Sequence, residues 1–122
     1  MSTYGPRIAA LERRADRDQE RFERESPSTA EAEKRYLREG AGQAIWLYIE
    51  GRTGGRLVPF SEDEYGALEG AMNTWLELYA RGCGADLEAT FTLREAAELL
   101  LETRNIHDVA GLLTGVSRRS AH

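Results

Sequence analysis

Few side chains in this chain could do acid–base, nucleophilic or metal chemistry, and their spacing works against all three. His107 and Asp108 are adjacent, and adjacent helical residues do not face one another. Along its own helix His107 would meet Thr103 and Gly111, neither of them a catalytic partner. It reads as a structural or surface histidine, and His122 as part of a polar tail. Cys83 sits between two glycines at the expected end of a helix, where the negative dipole end opposes a thiolate. With two histidines and one cysteine, and no His-x-x-x-His, Cys-x-x-Cys or Glu-x-x-His, the sequence implies no metal site and no cofactor. The loop Gly51-Arg52-Thr53-Gly54-Gly55 lacks the Gly-Lys-Ser/Thr ending of a phosphate loop. It reads as a turn or helix cap, with Arg52 and Arg56 as possible anion contacts.

The richest group is aromatic: Trp46, Tyr48, Phe60, Trp75 and Tyr79. Helical spacing assigns such side chains to a core first, and any left exposed would form an interaction patch. Trp46, Tyr48, Arg52, Arg56, Trp75 and Tyr79 are therefore the candidate interaction surface, and no catalytic residue is assigned.

Those residues must be positioned by helices. Three segments place Ser or Thr three residues before Glu: Ser28–Glu31, Ser61–Glu64 and Thr92–Glu95. Each fits a capping box, in which hydroxyl and carboxylate satisfy two orphan backbone N–H groups. Phe60 with Tyr65, and Phe91 with Ala96, add hydrophobic staples. A charged helix is expected over 7–25, with Ile8, Leu11, Ala15 and Phe22 on one stripe that Asp18 and Glu25 interrupt. Ser61 to about Arg81 reads as the surest helix, with Leu68, Met72, Trp75, Leu76 and Tyr79 on its apolar face. A pair of shorter helices follows across 92–115, broken at Arg104-Asn105.

The segment 29–55 forks. Continued as one helix, it places Leu37, Ala41, Ala44, Ile45 and Tyr48 on a stripe, with Gly40 admitting a close neighbour. Alternatively Gly40 and Gly42 end the helix and 44–60 forms a β-hairpin. Pro59 confines the return strand to an edge, and a lone hairpin is marginal. The reading is a mainly α protein: a small bundle of four to five helices, with α+β as the alternative. Its divisions are a charged N-terminal helix at 1–27, free to be flexible, a globular unit at 28–116 and a polar tail at 117–122.

The chain has 122 residues and a net charge of −5. The acidic excess falls in 41–93, with three basic against eight acidic side chains. No stretch has the one-signed basic surface that drives phosphate binding. Residues 92–115 could form a helix–turn–helix, but the second helix, Ile106–Thr114, holds no Arg or Lys. No apolar run approaches the roughly 20 residues of a membrane span. The N-terminus lacks a signal-peptide pattern, and a single cysteine forms no internal disulfide; a cytoplasmic location is expected.

Gly40–Gly55, with its Ala44-Ile45-Trp46-Leu47-Tyr48-Ile49 core, and the run Asn73–Tyr79 resemble small uncharacterised proteins of halophilic archaea. That resemblance implies no activity and assigns no residue a role. The functional expectation is a non-enzymatic interaction protein, self-associating as a homodimer or binding a protein partner. The alternative is a nucleic-acid-associated regulator using 92–115.

Overall fold

In a computed structural model of the chain, residues 4–25, 29–53 and 60–116 are described. They form five continuous rods. The first is α1 (Gly5–Glu25). The second is composite: α2 (Ala30–Tyr36), a π-helical turn (Leu37–Ala41) and α3 (Gly42–Thr53). Then follow α4 (Glu62–Gly82), α5 (Leu93–Thr103) and α6 (Ile106–Thr114). No strand occurs among the described residues, so the hairpin alternative is corrected: 44–50 lies inside α3. Its apolar character on all sides is used by helices rather than strands, since α3 packs against both α4 and α5. Of the return strand that this alternative placed at 56–60, residues 56–59 lie outside the described residues and Phe60 is not in a strand; the tail at 117–122 also lies outside them.

Two of the three expected capping boxes form. Ser61 and Thr92 each accept the N–H of the Glu three residues on, and each Glu accepts the cap's own N–H. The first cap is shifted. Ser28 is outside the described residues, and Thr29 caps α2 by accepting the N–H of Ala32. With Ala at that third position, no reciprocal carboxylate is available.

The stripe read on α1 is the buried one: Ile8, Leu11, Ala15 and Phe22 join the same apolar cluster as the other helices, chiefly against α4. Asp18, which breaks that stripe, has a partner. Its carboxylate accepts the indole N–H of Trp75 at 2.9 Å. Trp75 is fully buried at the centre of α4. Gly40 lies flat against its ring, and a Cβ there would stand 2.4 Å from the indole. The guanidinium of Arg14 lies over the same ring at 5.9 Å.

The polar side of α4 has its own task. Glu69, Asn73 and Glu77 recur at four-residue spacing, one above the other. Glu69 accepts the N–H of Leu93, and Glu77 that of Ala89. Asn73 both donates to and accepts from the backbone of Phe91, at 3.0 Å each. This rail satisfies the extended segment before α5, which by composition is the chain's other strand candidate.

Burial raises the pKa of Tyr36, Tyr65 and Tyr79 above the ordinary tyrosine value, with Glu69 adding to the effect at Tyr65 and Cys83 at Tyr79. Tyr79 donates to the carbonyl of Val116 and ties the end of the described chain to the core. The fold therefore favours protonated phenols. Their contribution is complete below the unfolded value of about 10 and is lost as pH rises through the folded values.

Two predictions follow from this packing. Ala ordinarily stabilises a helix over Gly by about 1 kcal/mol. Gly66→Ala and Gly70→Ala, with open space around their Cβ positions, should follow that rule in urea denaturation. Gly40→Ala should instead cost about 3 kcal/mol or more, from the clash with Trp75; unchanged or raised stability would refute the close packing. Second, stability should fall steeply above about pH 10, and less steeply in Tyr79→Phe. Parallel pH profiles for the two proteins would contradict the role given to Tyr79.

Candidate functional site

The six residues of the expected interaction surface do not share one face. Trp75 and Tyr79 are interior, and Tyr48 is 5% exposed. Tyr48 packs with Phe60 and Tyr65, which both meet its ring. Arg52 donates to the Tyr48 hydroxyl at 2.9 Å, with its guanidinium over that ring. Arg56 lies outside the described residues. Trp46 alone of the aromatics stands out, 51% exposed on a helix whose other large apolar side chains are buried. As an interior set, Tyr48, Trp75 and Tyr79 are corrected from surface to core, since all three are buried in the apolar cluster.

Trp46 borders a cleft of about 330 Å³ between the composite helix and the α5–α6 corner. The π turn contributes Arg38, and α3 contributes Gly42 and Gln43 beside Trp46. Leu100 comes from α5, Arg104 and Asn105 from the corner, and Ile106 and His107 from α6. The volume lies at the small end of the range typical of small-molecule sites.

Two backbone irregularities shape this cleft. In the π turn the N–H of Gly42 bonds the carbonyl of Leu37, five residues back. A Cβ at Gly42 would stand 2.7 Å from that carbonyl, so glycine permits the turn, and Ile106 of α6 lies at ordinary contact distance from the same point. Such turns recur at functional sites. At the corner, Arg104 adopts φ 55°, ψ 27°, the one non-glycine in the left-handed region among the described residues. Neighbouring bonds hold it there. Its N–H donates to Leu100, and the Thr103 hydroxyl bonds both Leu99 and Asn105. Asn105 caps α6, its Oδ1 accepting from the N–H groups of His107 and Asp108. That leaves the Asn105 amide NH₂ as a donor beside Arg104.

The lining contains no carboxylate. The ion pairs among the described residues engage Arg7, Arg21, Arg35 and Arg94; Arg38 and Arg104 enter none of them. A wider groove of about 700 Å³ along α1 and α2 differs in kind, its five arginines interleaved with four carboxylates. The cleft is thus a donor-rich hollow with an indole at its edge, on a chain of net charge −5.

His107 lines this cleft, while Arg52 is engaged with Tyr48. Among the described residues no three His, Cys, Asp or Glu side chains cluster as a metal site would require, and no helix is long and apolar enough to cross a membrane. α6 buries Val109 and Ala110. Arg38, Gln43, Arg104 and Asn105 are absent from the sequence reading of the site. Asn105 carried a usable signal, since Asn is a preferred N-cap. Arg104 did not, because arginine has no special tolerance for positive φ.

A family model described as Domain of unknown function (DUF8055) matches residues 2–118, and the chain belongs to that family. No curated protein and no solved structure matches it.

A left-handed arginine stores strain of about 1–2 kcal/mol, part of which glycine recovers against its greater unfolded-state entropy. Arg104→Gly should therefore stabilise the protein by roughly 0.5–1 kcal/mol in urea denaturation. Destabilisation would contradict strain at this position.

Proposed function

We propose that this member of the family acts by non-covalent recognition rather than catalysis, and that it self-associates through the face carrying Trp46. The observation behind this reading is the exposure of Trp46. An indole half out of the core, flanked by Arg38 and Arg104, has the composition of an interface hot spot. Leu101 of α5 is also an exposed large apolar side chain, at 53%. A cytoplasmic setting is consistent with the single cysteine.

Sedimentation velocity tests this. The wild-type chain should form dimers at micromolar concentration, and Trp46→Ala should shift them to monomer with its helical circular dichroism unchanged. A wild-type monomer throughout that range would end the self-association reading.

A further inference from the structure

We propose that the cleft between α3 and the α5–α6 corner is a binding site for a small organic anion: a flat ring carrying a phosphate or carboxylate group. The proposal goes beyond self-association and does not depend on it, because it rests on the lining of the cleft alone.

Three independent features converge on it. The first is charge. Arg38 and Arg104 come from different helical elements, face one hollow, and take no part in the ion pairs of the described residues. The wall of this cleft holds no carboxylate, whereas the α1–α2 groove interleaves its arginines with acids. An anion in this hollow would accept charge-assisted hydrogen bonds from the two arginines of its lining. His107 and the Asn105 amide add donors that match phosphate or carboxylate oxygens.

The second feature is shape. Trp46 presents an exposed indole at the edge of a hollow of about 330 Å³, with Leu100 and Ile106 as apolar lining. A planar ring stacked on the indole would cover apolar surface that water otherwise wets, as bases stack on aromatic side chains in nucleotide sites. An inorganic anion alone would leave that surface unused.

The third is backbone irregularity. The π turn that carries Arg38 and the left-handed residue Arg104 lie on opposite walls of the same cleft. Each is a departure from ordinary helix geometry at a residue that lines the cleft. Strain held in place by surrounding bonds, at the side chain that would grip a ligand, fits pre-organisation for binding.

Isothermal titration of the full chain provides the test, using adenosine monophosphate, adenosine, inorganic phosphate and benzoate as probes. Adenosine monophosphate should bind saturably, at least about tenfold more tightly than adenosine or phosphate, since charged hydrogen bonds are worth that much. Arg38→Ala and Arg104→Gly should each weaken it by about tenfold or more, and Trp46→Ala should weaken it as well. Arg104→Gly keeps the test sharp, because it relaxes the backbone and lost binding then does not reflect lost folding. Benzoate binding without adenosine monophosphate would support the site and assign the carboxylate as its anion. Equal affinity for adenosine, equal affinity for phosphate alone, no binding of either aromatic anion, or arginine variants with wild-type affinity would each overturn the proposal. So would far tighter, steeply salt-dependent binding of a short oligothymidylate, which would make the cleft part of a nucleic-acid surface. A wild-type monomer in sedimentation leaves these outcomes untouched, so the two readings fail separately.

Discussion

The contact of Gly40 with the ring of Trp75 is the constraint on which the rest of this fold depends. The indole is fully buried, and the absence of a Cβ at Gly40 lets the composite helix lie against its face. Trp75 is also the point where α1 is keyed to α4, because its N–H is satisfied by Asp18. A buried indole N–H without an acceptor would cost about 1–3 kcal/mol, so a carboxylate in the apolar stripe of α1 serves the core instead of weakening it. Arg35 stands 3.9 Å from the same carboxylate. One residue thus orients three rods.

The cleft follows from that arrangement. With Gly40 held on Trp75, the extra residue of the π turn alters the phase between α2 and α3. Arg38 then comes out beside Trp46 rather than among the charges of α1. The corner at Thr103-Arg104-Asn105 closes the other wall and starts α6 with a side-chain cap. An open hollow with two arginines and no carboxylate in its wall, and a half-exposed indole, remain on a protein whose other large apolar residues are mostly covered. Binding, whether of a second copy or of a small anion, is the use proposed for that combination.

Much of the architecture is legible in the residues. Boxes at Ser61 and Thr92 mark two helix starts because hydroxyl–carboxylate reciprocity is local chemistry. The stripe Ile8, Leu11, Ala15, Phe22 is local for the same reason. Gly40 reads as a close-approach position, though its partner does not. The fork at 44–50 is settled by tertiary contacts, since an apolar run has equal use in a buried strand or helix. The role of Asp18 and the rail Glu69, Asn73, Glu77 are invisible locally, because each is defined by a backbone or indole group far along the chain. The candidate site was legible only in Trp46. Tyr48, Trp75 and Tyr79 share its chemistry and differ only in what covers them, while Arg38 and Arg104 gain meaning from a π turn and a left-handed corner that no residue pattern announces.

The claim at the centre of this account is that the Trp46 cleft is the place where the protein binds. Chemical-shift mapping by ¹H–¹⁵N NMR, with adenosine monophosphate or benzoate added to the full chain, tests it most directly. Perturbations should centre on the indole N–H of Trp46 and the amides of Arg38, Arg104, Asn105 and His107, with the buried indole N–H of Trp75 unmoved. Perturbations confined to the α1–α2 groove, or none at saturating ligand, would contradict it.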